Sequence, residues 1–175
     1  MDKSYKELLQ DITTFVFDVD GVFTDGKIII TSEGEMLRTM NVQDGYAVKV
    51  AIQQGYNVCI ISGGTNEGVR LRLRGLGVTD IHMGAHHKID PFDEYLDIYN
   101  INPSHVLYMG DDIPDIPPMR LAGIPCCPQN AVPEVKAVSK YISHKHGGDG
   151  CVRDVIEQVL KVRGHWAENF SAKND

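Results

Sequence analysis

The chain has 175 residues, 42% of them apolar and 23% charged, with a net charge of −7. That length predicts one domain spanning 1–175, and the acidic balance excludes the basic footprint that a nucleic-acid partner needs. No apolar run approaches the roughly 20 residues that cross a bilayer. Residues 1–7 are polar and lack a signal-peptide pattern, and Cys59, Cys126, Cys127 and Cys151 have no disulfide or zinc spacing. A cytoplasmic protein with reduced thiols and no membrane partner is therefore expected. Residues 1–10 read as an amphipathic lead-in and residues 13–18 as a buried strand running into Asp18-Val19-Asp20-Gly21. Unpaired charge is costly inside a sheet, so Asp18 and Asp20 belong at the carboxyl end of that strand, where open α/β sheets place their sites. A turn with two solvated acids is the plainer alternative.

Residues 27–31 and 36–40 flank Ser32-Glu33-Gly34-Glu35 and predict a hairpin. Its apolar residues need a cover, so it either closes over a site or packs on another subunit. Residues 44–54 have helical spacing, ended by Gly55. Residues 57–62 predict a second buried strand ending at Ser62, closed by Gly63-Gly64. Thr65 or Asn66 caps the next helix, which runs to about Leu76. A short strand over 78–82 and a helix over 89–100 follow, with Pro91 tolerable in the helix's first turn. Residues 105–109 predict a strand closed by Gly110-Asp111-Asp112, and a short helical piece covers 119–122. Residues 124–127 form a short strand, 132–138 a helix, 141–143 an edge strand and 151–162 the last helix, after the glycine loop 147–150. The tail over 164–175 reads as frayed, although Trp166 and Phe170 are apolar for a free end. Strands alternating with helices imply a parallel sheet in a three-layer, Rossmann-like α/β domain.

Three strand ends thus bear polar groups: Asp18 and Asp20, Ser62, and Asp111 with Asp112, followed one helical turn later by Asp115. Lys88 lies in a loop between the third strand and a helix. A parallel sheet brings these ends to one edge, and the repulsion among the acids calls for a cation. Hard oxygen donors suit magnesium. The pairs His86-His87 and His144/His146 have no Cys or His partner at zinc spacing, and Arg70, Arg72 and Arg74 mark solvated faces. Taken singly, Ser62 is a helix cap and Lys88 a surface lysine. Their joint order with the acids is what points to chemistry.

That order, Asp-x-Asp-Gly, a Ser or Thr, a Lys, then Gly-Asp-Asp-x-x-Asp, resembles the haloacid dehalogenase superfamily over about 13–160. The resemblance implies a phosphatase in which Asp18 is the nucleophile and forms an aspartyl phosphate. Asp20 would be general acid and then base; dehalogenases of the superfamily lack this second Asp. Magnesium would be held by Asp18, the Asp20 carbonyl and Asp111. Ser62 and Lys88 would bind the phosphoryl group, with Asp112 and Asp115 completing the metal site or orienting Lys88. Receiver-type signalling modules use similar residues, but in a different order along the chain.

No insertion is large enough for a cap domain, which leaves the hairpin over 27–40 as a flap. A capless enzyme acts on macromolecules or borrows a lid from a neighbouring subunit. The segments Asp20-Gly21-Val22-Phe23-Thr24-Asp25-Gly26, Asn41-Val42-Gln43-Asp44-Gly45 and Gly147-Gly148-Asp149-Gly150-Cys151-Val152-Arg153 are similar to those of 3-deoxy-D-manno-octulosonate (KDO) 8-phosphate phosphatases, enzymes of lipopolysaccharide precursor synthesis. This resemblance implies a homotetramer in which a neighbouring subunit completes the site. It also places Thr24, Asp25, Asp44, Gly45, Gly63, Gly64 and Lys145 near the sugar acid. Ser62-Gly63-Gly64 departs from the usual Thr-Gly-Arg of this family, and from the Thr-Gly-Glu of phosphatases acting on a nine-carbon sugar acid (KDN) 9-phosphate, which is the alternative substrate.

Overall fold

The structure is a computed structural model and describes residues 3–166. A short helix α1 (Tyr5–Leu9), closed by a capping box between Ser4 and Glu7, leads into strand β1 (Thr14–Phe17). A hairpin of two short strands, β2 (Ile29–Ile30) and β3 (Met36–Leu37), precedes helix α2 (Val42–Gln53) and strand β4 (Asn57–Ile61). Helix α3 (Glu67–Gly75), strand β5 (Asp80–His82) and helix α4 (Ile89–Tyr99) follow. The chain continues through β6 (Val106–Met109), α5 (Ile116–Leu121), β7 (Ile124–Cys127), α6 (Pro133–Val138), β8 (Tyr141–Ile142) and α7 (Cys151–Val162).

Six strands form one sheet in the order β5-β4-β1-β6-β7-β8, every pairing parallel. Both faces of such a sheet are covered, so its strands read as continuous apolar runs. The pleat then sorts alternate residues. Phe15 and Phe17 join Val58, Ile60, Leu107 and Met109 in a core with α2, α3 and α7. Val16, Cys59, Ile61 and Tyr108 face the other way, into a core with α4, α5 and α6. From β1 the chain builds outward through β4 and β5, then returns to lay β6 on the other flank of β1. The carboxyl end of β1 is therefore the switch point, where a crevice opens between loops that diverge.

Several boundaries differ from the sequence reading. Helix α2 starts earlier than residue 44 because the Asn41 side chain accepts from the Gln43 N–H and caps it. Asn66, not Thr65, caps α3. Helix α5 begins before residue 119 because Pro117 and Pro118 sit in its first turn, where no intrahelical N–H is needed. The hairpin pairs only Ile29 with Leu37 and Ile30 with Met36. Among the described residues of the tail, 165 and 166 are packed rather than frayed: the Trp166 ring meets Tyr46 edge-on, with Arg153 stacked over both, and His165 Nδ1 lies 2.9 Å from the Tyr56 hydroxyl. Phe170 lies outside the described residues.

Candidate active site

Asp18 follows the last residue of β1 directly, so its carboxylate emerges at the strand's carboxyl end while its backbone is still tied to the sheet through Met109. It is almost fully buried. The Val19 N–H donates to its Oδ1 at 2.7 Å and the Lys88 ammonium lies 2.9 Å from the same oxygen, which fixes the carboxylate's orientation. Lys88 ends the loop after β5 and is itself buried. Its Nζ also donates to Asp115 Oδ1 at 2.8 Å, so one ammonium bridges two carboxylates. Burial opposes its charge, but Asp18 and Asp115 more than offset this and push Lys88 above its ordinary range.

Asp115 is fully enclosed. Its Oδ1 accepts from Lys88 and from the Tyr108 hydroxyl at 3.0 Å; its Oδ2 accepts from the N–H groups of Asp111 at 3.1 Å and Asp112 at 3.4 Å. Four donors thus occupy this carboxylate, which makes it the brace of both Lys88 and the β6–α5 loop. Asp112 is exposed, and its carboxylate closes that loop's turn by accepting from Ile113 N–H at 2.7 Å.

Asp18, Asp111 and Asp115 bring one carboxylate oxygen each within 4.8 Å of one another. Burial, then Asp115, pushes Asp18 well above the usual carboxylate range, against the pull of Lys88. Burial likewise lifts Asp111 to about 6, with Asp115 adding to it. Three carboxylates against one ammonium leave the cluster two charges short of neutrality, the charge of one divalent cation, and the donors are the hard oxygens that magnesium takes. Gly21 permits the arrangement. Its φ of +87° suits glycine, and a Cβ there would collide with the Asp111 carboxylate.

Asp20 points elsewhere. The Arg38 guanidinium forks its carboxylate, Nε to Oδ1 at 2.8 Å and Nη2 to Oδ2 at 3.1 Å. Arg38 comes from just after β3, in the hairpin, and the sequence reading passed over it. Ser62 is buried at the end of β4, and its Oγ accepts from Gly64 N–H at 3.2 Å. Asp18, Asp20, Ser62, Gly63, Gly64, Lys88, Asp111, Asp112 and Asp115 line one cleft of about 430 Å³, together with Gly26 and His86. Sequence spacing weighs His86 only as a zinc ligand and misses its place in this cleft.

Five residues expected near a substrate do not line this cleft. Thr24 is fully buried, accepting from Gly21 and Gly26 N–H groups at 3.2 Å each, so its hydroxyl shapes the loop after β1. Asp44 is fully buried in α2 and accepts from Arg153 N–H at 2.8 Å at the start of α7. Gly45 is buried on the same helix, where a Cβ would press on Arg72 and Leu76. Lys145 lines a separate cleft of about 350 Å³ with Arg153, Glu157 and Lys161. Asp25 is exposed and turns back to accept from Lys27 N–H. The glycine loop packs on the loop after β1: Gly148 N–H donates to Val22 O at 2.9 Å, and the Cys151 thiol to the same oxygen at 3.2 Å.

Comparison with known proteins points the same way as this geometry. The profile of the haloacid dehalogenase-like hydrolases matches residues 74–155. The 3-deoxy-D-manno-octulosonate 8-phosphate phosphatase KdsC of Salmonella typhi is 34% identical over 155 residues, 89% of this chain and 82% of that protein. The crystal structure of the same phosphatase from Yersinia pestis superposes with a TM-score of 0.91 at 31% identity, covering 93% of this chain and 88% of that one. The enzyme from Moraxella catarrhalis, solved with magnesium, phosphate and KDO, superposes with a TM-score of 0.87 at 36% identity, covering 90% of each chain.

Proposed function

Since the chain belongs to the haloacid dehalogenase-like hydrolases, in their 3-deoxy-D-manno-octulosonate 8-phosphate phosphatase family, we propose that it hydrolyses that sugar-acid phosphate to KDO and phosphate with magnesium, in lipopolysaccharide precursor synthesis. The observation that carries this reading is the single cleft where Asp18, Asp20, Ser62 and Lys88 meet beside Asp111.

Asp18 is the nucleophile: its carboxylate bonds to phosphorus as the bond to the sugar oxygen breaks, and Asp20 gives that oxygen a proton. Water then attacks the aspartyl phosphate, passes its proton to Asp20, and frees Asp18 and phosphate. Ser62 donates a hydrogen bond to a phosphoryl oxygen, and Lys88 screens the repulsion between two anions that must touch. Magnesium would be held by Asp18, Asp111 and the Asp20 carbonyl, and would neutralise the phosphoryl oxygens. Asp115, with both oxygens occupied, keeps Lys88 in place. The hairpin stands outside the six-stranded sheet, and we assign it to contacts within a homotetramer. The four buried free thiols suit the reducing cytoplasm; among the described residues no helix is long and apolar enough to cross a membrane.

The test is phosphate release with magnesium from KDO 8-phosphate, KDN 9-phosphate and simple sugar phosphates. We expect the eight-carbon substrate to give the highest kcat/KM and a chelator to abolish turnover. A clear preference for the nine-carbon substrate overturns the assignment of substrate; no turnover of any overturns the enzyme.

A further inference from the structure

We propose that Arg38 is a positioning residue for Asp20, dividing the labour of its two oxygens: Oδ1 is the anchor and Oδ2 the oxygen that exchanges protons with the leaving group and with water. The inference rests on the phosphatase reading and extends it to a hairpin residue that the reading leaves without a role.

The guanidinium is delivered in a fixed pose. The Met36 carbonyl accepts from Arg38 Nη1 at 3.0 Å and from the Asn66 side-chain amide at 3.0 Å. The other end of that Asn66 side chain caps α3 through Val69 N–H at 3.0 Å. The hairpin stem is thereby tied to the helix that follows Ser62-Gly63-Gly64, and the Arg38 side chain is only 8% exposed. A planar fork held this way sets both the place and the plane of the carboxylate it grips, which a lysine cannot do.

The two teeth of the fork are unequal. Oδ1 takes the shorter bond, 2.8 Å from Nε, and has the Thr24 hydroxyl at 3.5 Å as a second contact. Oδ2 takes the longer one, 3.1 Å from Nη2. It also faces the open side: a Cβ built on Gly64 would stand 3.3 Å from Oδ2, 3.6 Å from Arg38 Nη2 and 3.6 Å from Ser62 Oγ. Gly64 lines the cleft, so the space its missing side chain leaves is bounded by the proton-transferring oxygen, the guanidinium and the hydroxyl assigned to the phosphoryl group. A substrate's bridging oxygen entering there displaces the weaker tooth, while Oδ1 stays on Nε. In the first half-reaction the proton passes from Oδ2 to the departing sugar oxygen as the phosphorus–Asp18 bond forms. In the second, water returns a proton to Oδ2 as that bond breaks.

The experiment compares leaving groups in the magnesium-loaded enzyme. A sugar alkoxide needs a proton to leave; p-nitrophenolate does not. For Arg38→Ala we expect kcat/KM, which reports only the half-reaction that forms the aspartyl phosphate, to fall about 10- to 100-fold on the best sugar phosphate but less than about 3-fold on p-nitrophenyl phosphate, magnesium affinity holding. Arg38→Lys should recover only part of the loss, and Arg38→Gln, which keeps the stem, serves if the alanine variant does not fold. Equal losses of kcat/KM on both substrates, or no loss on either, overturns the proposal. Wild-type protein inert on every phosphate ester overturns the phosphatase reading and this inference with it. Activity confined to substrates other than KDO 8-phosphate overturns only the substrate, and the comparison proceeds on the alkyl phosphate that is turned over.

Discussion

Asp18 is under two opposed pressures. Burial and the neighbouring Asp115 favour its neutral form; Lys88 favours its charge. Its folded-state pKa is raised, so the native protein binds this proton more tightly than the unfolded chain does. The associated stability is complete below the unfolded value, near 3.9, and is lost as pH rises through the folded value. At neutral pH without metal, an ionised Asp18 is therefore a cost, and Asp18→Asn, which keeps Oδ1 for the Val19 N–H, removes it. We expect the variant to melt at a higher temperature than wild type in chelator, to lose most of the stabilisation magnesium gives wild type, and to have no measurable turnover. A melting temperature unchanged in chelator would contradict the electrostatic account; retained turnover would contradict the nucleophile. Asp18 was legible in the sequence because an acid directly after the apolar run Phe15-Val16-Phe17 has only the strand end to occupy. Arg38 was not: a period-2 pattern tells which face of a hairpin a residue takes, but not that its long side chain reaches back across the chain to Asp20.

At the scale of elements, the strands were legible because a sheet covered on both faces demands unbroken apolar runs, and β7 and α7 fall where the sequence puts them. The role of Asp44 was hidden for the opposite reason: a polar residue near a helix start reads as solvent- or substrate-facing, whereas tertiary packing lays α7 against α2 and encloses it. There its carboxylate serves the N-terminus of a second helix, accepting from Arg153 N–H. Burial, opposed by backbone donors at Arg153 and Gly150, pushes it up to about 6. The sign is that of any raised carboxylate: stability is complete below about 3.9 and is lost as pH rises through about 6, a swing of about 3 kcal/mol. Asp44→Asn keeps the acceptor without the charge. Subtracting its urea-unfolding stability from that of wild type between pH 4 and 7.5 should show wild type losing ground by that order as pH rises. A difference that is flat with pH would mean that Asp44 is no clamp between α2 and α7.

At the scale of the whole molecule, the hairpin groups exposed apolar side chains on one element. Ile29 is 59% exposed, Ile30 72%, Met36 51% and Leu37 45%, apolar on a two-stranded ribbon. Such a ribbon is marginal on its own in water, and contiguous exposed apolar side chains mark an interaction surface. Here the ribbon is also the carrier of Arg38, so whatever covers it steadies a group within reach of Asp20. If the cover is a second copy of the chain, assembly and catalysis are coupled through one residue. We expect wild type to sediment as a tetramer at micromolar concentration, and Ile30→Glu combined with Leu37→Lys to sediment as a smaller species with an unchanged magnesium site. In that species the carboxylate cluster beyond the ends of β1 and β6 is intact while the hairpin has lost its cover. The loss of kcat/KM should therefore follow the leaving-group pattern of Arg38→Ala, larger for the sugar phosphate than for p-nitrophenyl phosphate. A wild-type monomer would remove the interface, and a dissociated variant with full activity on both substrates would separate the hairpin's assembly role from its hold on Asp20.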